Sequence, residues 1–294
     1  MPSCAAVSAA QSACCANLYG VTRIEVPTAI VDAARRRWPD RADAWAHAVR
    51  VEFPALLWQY GARPVTVHAG RYAYVAEVRA RGGARLIFRA SPDPAGEDQA
   101  SVAVVLAKLG VSPAVHEVQV TETGCWTVMD RVEPGTPLGN TGASALSAAE
   151  LGAILRPLAG KPAPLPNLPY IGDWLRSRLE DDHLADLAPG RAVAPRGERD
   201  AALMILNELA STGERGLCHG DTSPGNILKA ADRKHCLIDP RGMCGEINYD
   251  VAVLGLKAAR AITRPSRSGA IALAADVDVA RTMQWELVAM AARV

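Results

Sequence analysis

The chain has 294 residues, of which 49% are hydrophobic and 21% are charged, and its formal net charge is +1. This length predicts one large domain or two lobes with an ample hydrophobic core. The balance of 32 basic and 31 acidic residues excludes a nucleic-acid-binding protein that depends on a broad basic surface. No apolar run approaches the roughly eighteen residues that span a bilayer, so we expect no membrane-spanning segment.

The N-terminal segment and the cysteines indicate a cytoplasmic protein. Residues 1–20 carry no Lys or Arg and lack a continuous hydrophobic stretch, so we expect a loose extension and no secretory signal. The seven cysteines form no C-x-x-C pair, and scattered thiols suit a reducing compartment. A zinc site is disfavoured because its candidate ligands lack paired spacing; these are Cys218, His235, Cys236 and Cys244.

The first part of the chain combines helices with an antiparallel sheet. Residues 28–60 show helical periodicity punctuated by Pro39 and Pro54, which predicts two or three short helices. Alternating apolar residues then predict a three-stranded meander, and one helix and two more strands follow it. These strands and the helix are expected at residues 63–69, 72–78, 85–90, 97–109, 115–120 and 125–129.

The rest of the chain is mostly helical by its periodicity. We expect helices at Ala148–Leu158, Gly172–Leu184, Arg199–Ser211, Tyr249–Ile262 and Val277–Ala292. The Glu133-Pro134-Gly135 sequence breaks the chain before this half. The pattern predicts an α+β protein with a small antiparallel-sheet N-terminal lobe, residues 21–132, and a larger, mainly helical C-terminal lobe, residues 133–294.

One segment of the helical half, Leu217 to Asp239, has a different character. It is apolar at first, then enters a polar loop in which Asp221 and Asn226 lie five residues apart, and it ends at Asp239 after two short predicted strands. Phosphoryl transfer needs a base or orienter at the acceptor hydroxyl, oxygen ligands for Mg²⁺ and cations on the phosphates. A carboxylate and an amide on one tight loop suit the first two tasks, and Asp239 adds the carboxylate that a hard divalent cation prefers.

Two motifs in this segment resemble those of the antibiotic phosphotransferases, whose fold is that of the protein kinases. They are His219-Gly220-Asp221 with Asn226, and Ile238-Asp239-Pro240. The continuation Arg241-Gly242, with Gly245 and Tyr249-Asp250, is most similar to the streptomycin and hydroxyurea phosphotransferase branch. The resemblance extends over about residues 60–260, and the helical lead-in at 28–60 also fits.

The resemblance implies a role for each residue of these motifs. Asp221 is the catalytic Asp, while Asn226 and Asp239 hold Mg²⁺. His219 and Gly220 shape the loop, and Asp250 braces it from the start of a helix. As an ordinary turn residue Asp221 would not need these companions, so we favour the catalytic interpretation.

The resemblance also implies a site for ATP (or GTP). Its members place a cation, most often Lys, on the third strand; this chain has Arg89, which holds phosphate oxygens with a different geometry. Glu97 is the matching carboxylate, with Asp98 as its rival. Gly70 lies in the expected phosphate loop, and the base is expected at the backbone of Asp130, Arg131 and Val132.

The acceptor is expected to be a small hydroxylated antibiotic. A streptomycin-type aminoglycoside is favoured by the motifs, whereas the 18 acidic and 18 basic residues of 141–294 favour an uncharged, capuramycin-like nucleoside antibiotic. A metabolic small-molecule kinase and an inactive kinase-fold binding module remain alternatives. The candidate acceptor residues are Glu180, Asp181, Asp182, Trp174 and Glu246, although the acidic run at 180–182 also suits a solvated helix end.

Overall fold

The computed structural model describes residues 24–68, 70–141, 146–187, 190–231, 234–260 and 267–294. The expected extension at 1–20 lies outside these residues. The chain divides into two compact units. The first contains the residues up to Glu97 together with Val115–Arg131, and the second contains Asp98–Ala114 and Val132–Val294. Within the described ranges, every helix is too short or too polar to cross a bilayer.

The first unit is a five-stranded antiparallel sheet preceded by two helices. The sheet order is β1-β2-β3-β5-β4, with every neighbouring pair antiparallel. Two helices precede it, as predicted, and Pro54 lies inside the second of them. The elements are α1 (Thr28–Arg37), α2 (Ala42–Gln59), β1 (Arg63–His68), β2 (Tyr74–Arg79), β3 (Arg85–Ser91), β4 (Val115–Val120) and β5 (Cys125–Asp130).

An aromatic cluster between α2 and one face of this sheet forms the core of the first unit. Phe53 of α2 contacts Tyr74 and Phe88 edge to face and stacks on Trp126. Side chains alternate between the two faces of a strand, so the residue that follows Phe88 lies on the opposite face. Arg89 therefore belongs to the sheet face that points away from this core.

The second unit is mainly helical and contains two small sheets, ordered β6-β8-β9 and β10-β7. Short 3-10 turns lie at Arg156–Leu158 and Pro224–Asn226. The elements are α3 (Gly96–Lys108), β6 (Pro134–Pro137), α4 (Leu138–Thr141), α5 (Ala148–Leu155), α6 (Ile171–Glu180), α7 (Arg196–Thr212), β7 (Gly216–Leu217), β8 (Ile227–Ala230), β9 (His235–Leu237), β10 (Cys244–Gly245), α8 (Ile247–Arg260), α9 (Ser268–Ala275) and α10 (Val279–Ala291).

Helix α3 belongs mostly to the second unit, whereas it was expected in the N-terminal lobe. Val102 and Leu106 are fully buried in the hydrophobic core of the helical unit. The backbone N–H of Leu237 in β9 also donates to the carbonyl of Val111, just after the helix. The apolar face that predicted the helix is thus the face that joins it to the second unit.

Short elements such as α4, β7 and β10 were not expected from the sequence, and three further differences have a local reason. Pro134 begins strand β6 where a simple break was expected, since the first residue of a strand tolerates proline. Helix α9 was not predicted because its apolar segment is short and begins Ser-Gly. Helix α6 ends at Glu180 instead of Leu184, where the buried Arg199 guanidinium donates to the carbonyls of Leu179 and Asp181.

Candidate active site

The loop between β7 and β8 carries His219, Asp221 and Asn226. Gly220 has a φ of +81°, and a Cβ at this position would lie 2.8 Å from the Cβ of Arg241. The loop therefore needs a residue without a side chain there, for both conformational and steric reasons. Pro224 then starts the 3-10 turn that ends at Asn226. This geometry explains why the motif combines a glycine and a proline around its polar residues.

His219 links the loop between β7 and β8 to the segment that leads to Asp239. Its Nε2 lies 3.0 Å from the carbonyl of Ile238, and the backbone N–H of Asp221 donates to its Nδ1 at 3.3 Å. This pattern fits the neutral tautomer with the proton on Nε2. Complete burial lowers the pKa of His219 to about 4. His219 is therefore neutral near pH 7 and bridges the two segments through its ring nitrogens.

Asn226 connects directly to both flanking segments. Its Nδ2 donates to the backbone carbonyl of Asp221 at 3.0 Å, which fixes the amide and leaves its side-chain oxygen as an acceptor. The backbone N–H of Ile238 donates to the carbonyl of Asn226 at 2.9 Å. The next residue, Asp239, has a left-handed φ of +59°. The structure thus brings Asp221, Asn226 and the segment of Asp239 together.

Asp250, near the start of α8, holds the backbone of the loop. Its two carboxylate oxygens accept the N–H groups of His219 at 2.7 Å and Gly220 at 2.8 Å. The hydroxyl of Thr222 donates to its backbone carbonyl at 2.6 Å. Complete burial raises the pKa of Asp250 to about 7, against the effect of the two N–H donors, which stabilise the carboxylate. Asp250 occupies the bracing position expected for it.

Two cations flank the carboxylate of Asp221. Lys257 Nζ lies 2.9 Å from Oδ1, and Arg241 Nη2 lies 3.7 Å from Oδ2. Burial alone would raise the pKa of Asp221, but the charges of Lys257 and Arg241 outweigh it, and the pKa is lowered. Lys257 was not predicted from the sequence. The only sequence feature that indicated it was a single lysine in an apolar helical segment. Residues Val251–Leu254 of that segment are fully buried.

Arg241 connects Asp221 to an aromatic side chain on α6. Its guanidinium lies 4.2 Å from the centre of the Trp174 ring, and its Nε donates to the carbonyl of Gly220 at 3.1 Å. The following Gly242 has a φ of +76°, and a Cβ there would lie 2.6 Å from the backbone nitrogen of Gln99 in α3. Gly242 is therefore required by close packing against α3. Trp174 is thus held close to Asp221 by way of Arg241.

Asn226 and Asp239 offer donors that fit Mg²⁺. An amide oxygen and a carboxylate are hard oxygen ligands, and Mg²⁺ usually keeps several waters and phosphate oxygens as its remaining ligands. The amide of Asn226 is already oriented through its nitrogen by the Asp221 carbonyl. In the described part of the chain, no three His, Cys, Asp or Glu side chains cluster into a protein-only metal site. A cation at this place would therefore complete its coordination with water or phosphate.

The expected nucleotide residues lie in or beside the first unit. Arg89 in β3 and Glu97 in α3 both act electrostatically on the thiol of Cys125, whose pKa is raised chiefly by burial. Gly70 is required by the loop, because a Cβ there would lie 2.4 Å from the carbonyl oxygen of Ala73. Asp130 ends β5, with its side chain 2.6 Å from His116 Nε2.

The next residues continue the chain from β5 into the second unit. The backbone N–H of Arg131 donates to the Arg85 carbonyl, and its Nε lies 3.1 Å from the buried carboxylate of Glu77. Val132 is buried and is the first residue of the second unit after this connection. The backbone at Arg131, where the base is expected, is therefore held by its hydrogen bond to Arg85 of β3 and by the ion pair of Arg131 with Glu77.

Most of the acidic side chains expected at the acceptor are engaged within the fold. Glu246 is buried, binds the guanidinium of Arg281 with both oxygens and accepts the indole N–H of Trp285 at 3.2 Å. The structure thus places Glu246 in an internal ion pair, so its carboxylate already has partners within the fold.

The acidic run at the end of α6 also has local partners. Asp182 forms an ion pair with Arg199, and Asp181 accepts the backbone N–H of His183. Glu180, Asp181 and Asp182 are all exposed. These observations favour the interpretation of residues 180–182 as a solvated helix end over their interpretation as a cluster of carboxylates around a ligand.

Comparisons with known proteins bear on the family. A sequence model of the family described as aminoglycoside/hydroxyurea antibiotic resistance kinase matches residues 58–293. No curated protein matches the chain in the sequence search.

Solved structures show the fold. A choline/ethanolamine kinase family protein from Mesorhizobium loti is 18% identical, with a TM-score of 0.57 over 85% of this chain and 83% of that one. An ethanolamine kinase from Plasmodium vivax is 12% identical, with a TM-score of 0.54 over 86% and 79%. A thermostable mutant of aminoglycoside phosphotransferase APH(4)-Ia, in complex with ADP and hygromycin B, is 16% identical, with a TM-score of 0.50 over 81% and 97%.

These structural likenesses confirm the expected protein-kinase-like fold, with its antiparallel sheet and mainly helical second unit. The family match covers most of the chain, including all of the β7–β8 loop and α8. The enzyme class predicted from the loop motifs, phosphate transfer to an alcohol group of a small molecule, is also confirmed. The chain belongs to the aminoglycoside/hydroxyurea antibiotic resistance kinase family.

Proposed function

We propose that the chain is an ATP-dependent O-phosphotransferase that inactivates a hydroxylated antibiotic by phosphorylating one of its hydroxyl groups. The observation that carries the proposal is the hydrogen-bonded loop of the second unit. In it Asn226 donates to the Asp221 carbonyl and accepts the N–H of Ile238, next to Asp239. A binding module has no chemical need for the side chains of Asp221, Asn226 and Asp239 in two adjacent segments, whereas phosphoryl transfer uses each of them.

Each residue of the loop has a task in this proposal. Asp221 orients the acceptor hydroxyl and receives its proton during transfer. Asn226 and Asp239 would hold Mg²⁺, which when bound neutralises phosphate charge. His219 carries no charge at neutral pH and serves as a bridge, so we assign it no acid or base role. Asp250 keeps the loop backbone in place through two N–H groups.

The nucleotide is assigned to the first unit. Arg89 takes the place of the usual lysine on the phosphates, with Glu97 as its carboxylate partner. Gly70 lets the loop after β1 approach phosphate closely, and the backbone of Asp130, Arg131 and Val132 receives the base of ATP or GTP. We expect the enzyme to act in the cytoplasm, where its nucleotide is supplied.

Two acceptor classes follow from different observations. A streptomycin-type aminoglycoside is supported by the motif resemblance and by the family description. An uncharged acceptor, such as a nucleoside antibiotic, is supported by the ion pairs that occupy Glu246 and Asp182 and by the two cations at Asp221. A polycation bound there would meet like charges with few free carboxylates to offset its desolvation.

The test is a turnover panel with the purified chain and Mg-ATP. The acceptors are streptomycin, hydroxyurea, a nucleoside antibiotic, choline and a simple sugar, and the product is identified by mass spectrometry. We expect phosphorylation of an antibiotic, and an Asp221→Asn variant should lose roughly 10² to 10⁴-fold in kcat. Asp200→Asn, an exposed site in α7 paired with Arg196, is the matched control and should keep full activity.

The outcomes separate the alternatives. Efficient transfer to choline or the sugar, with no antibiotic accepted, would replace the resistance function with a metabolic one. Mg-ATP binding without transfer to any acceptor would indicate an inactive binding module. An Asp239→Asn variant should need more Mg²⁺ to bind nucleotide, and an unchanged Mg²⁺ requirement would remove Asp239 from the metal site.

A further inference from the structure

Lys257 is a charged residue on an otherwise apolar stretch of α8. The preceding residues Val251–Leu254 are fully buried, and the Lys257 side chain is only 23% exposed. An ammonium group removed this far from water is stabilised only by a charged or polar partner. Its partner is Asp221 Oδ1, at 2.9 Å. The helix therefore directs its lysine to the carboxylate that is proposed to receive the acceptor proton.

The spacing of Lys257 and Asp250 places both on one face of α8. They are seven residues apart, which is about two turns of an α-helix. Asp250 holds the loop through the backbone N–H groups of His219 and Gly220, and Lys257 holds the side chain of the next residue, Asp221. One rigid element thus sets both the path of the loop and the direction of its carboxylate.

The two oxygens of Asp221 are not equivalent. Oδ1 is in hydrogen-bond contact with Lys257, whereas Arg241 Nη2 lies 3.7 Å from Oδ2, beyond hydrogen-bond distance. With Oδ1 engaged, Oδ2 is the oxygen that is better placed to receive an acceptor hydroxyl. A base must keep such an orientation closely, because a displacement of about 1 Å can cost on the order of 10²-fold in rate.

We infer that Lys257 is the positioning residue of the catalytic Asp221, and that phosphate transfer requires a cation at this place on α8. The inference rests on the proposed function and extends it by one residue outside both sequence motifs. Lys257 acts through Asp221 and needs no contact with the acceptor. It follows that kcat depends on Lys257, whereas the binding of Mg-ATP does not.

The test compares Lys257→Met with Lys257→Arg. The methionine keeps the length of the side chain without its charge, and we expect kcat to fall by about tenfold or more while the KM for ATP changes less than about threefold. The arginine keeps a cation and should restore most of kcat. Lys229→Met, at an exposed position of β8, is the control and should leave kcat unchanged. If the methionine variant does not fold, Lys257→Gln takes its place.

A double variant distinguishes positioning from other roles. If Lys257 acts only through Asp221, adding Lys257→Met to Asp221→Asn should cause no further loss of activity. A further loss, or a rise in the Kd for Mg-ATP that matches the fall in kcat, would assign Lys257 to the nucleotide and overturn the inference. Wild-type kcat in Lys257→Met would also overturn it, with the proposed function intact. A wild-type chain that phosphorylates no acceptor would instead overturn both.

Discussion

The carboxylate of Asp250 accepts the backbone N–H of His219 at 2.7 Å, and its second oxygen accepts the N–H of the following Gly220 at 2.8 Å. Asn in this place would offer one oxygen and one NH₂ group, so one loop N–H would face a donor. We expect Asp250→Asn to cost about 2 kcal/mol of unfolding free energy and to lower kcat. Thermal unfolding and turnover measure both effects.

The control for this prediction is Asp276→Asn. Asp276 follows α9, is exposed and has a left-handed φ of +61°, a conformation that Asn tolerates well. This variant should match the wild-type melting temperature. If Asp250→Asn were as stable and active as Asp276→Asn, the bracing role of Asp250 would be wrong.

The proximity of the loop residues was predictable from sequence because they are close together along the chain. Asp221 and Asn226 lie five apart, and Asp239 lies at the end of the following strand pair. The contacts made by Lys257 and Trp174 were not predictable, because the fold brings them to Asp221 and Arg241 from separate helices. No local pattern encodes which partly buried lysine meets which carboxylate.

The tertiary contacts of α3 and Glu246 also could not be predicted from the sequence pattern. The periodicity of α3 predicted a helix but carried no information on which unit its apolar face, with Val102 and Leu106, would join. Glu246 was expected to contact the acceptor, because the sequence around a single carboxylate does not indicate its ion-pair partner. Its partner is Arg281, thirty-five residues later. The helices and strands were therefore predicted better than the tertiary contacts that they make.

Stability in mild acid should depend on His219. Burial lowers the pKa of His219 from 6.5 to about 4, so the folded chain keeps it neutral while the unfolded chain takes up a proton. Its contribution is therefore fully present above pH 6.5 and is lost as the pH falls toward 4. The loss relative to a His219→Gln variant should reach about 3 kcal/mol.

The measurement is the difference in unfolding free energy between wild type and His219→Gln from pH 7 to pH 4. Asp250 acts in the opposite direction, because its pKa is raised to about 7 and stability falls as the pH rises toward that value. Both proteins carry Asp250, so its contribution cancels in the difference. A difference that does not vary with pH would mean that the folded chain protonates His219 as readily as the unfolded chain does, so that its pKa is not lowered.

The ion pair of Glu246 and Arg281 should contribute to stability and not to acceptor binding. Removing the charge of Glu246 leaves the Arg281 guanidinium without its buried partner, and loss of one member of such a pair costs about 3 kcal/mol. We expect Glu246→Gln to lower the melting temperature and to leave the acceptor KM unchanged. Glu208→Gln, at an exposed position of α7, serves as the control. A raised acceptor KM in a stable Glu246→Gln protein would return Glu246 to the acceptor site.

The cation on β3 should matter for nucleotide and tolerate replacement by lysine. Arg89 lies on the sheet face opposite the aromatic core, so its removal should not disturb the packing of Phe88. We expect Arg89→Ala to raise the KM for ATP about tenfold and Arg89→Lys to stay within a few-fold of wild type, since both cations bind phosphate. Steady-state kinetics with varied ATP measures this. An unchanged KM in Arg89→Ala would place the phosphate-binding cation elsewhere.

The acceptor site should depend on Trp174 more than on the acidic end of α6. Trp174 contacts the Arg241 guanidinium at 4.2 Å, and Arg241 in turn contacts the loop at Gly220. Arg178 also lies over the Trp174 ring, at 5.0 Å. We expect the indole of Trp174, held in this way, to contact an acceptor near Asp221, so Trp174→Leu should raise the acceptor KM by about tenfold. The KM for ATP should not change in this variant.

Neutralising the acidic run gives the complementary measurement. Glu180→Gln, Asp181→Asn and Asp182→Asn together should lower stability, because Asp182 partners the Arg199 guanidinium at the end of α6. Asp182→Asn alone should account for that loss. The acceptor KM should stay near wild type and should not rise with salt, since exposed charges would then play no part in acceptor binding. A rise of the KM in the triple variant and with salt, together with a normal KM in Trp174→Leu, would show that carboxylates select a polycation and would favour the streptomycin-type acceptor.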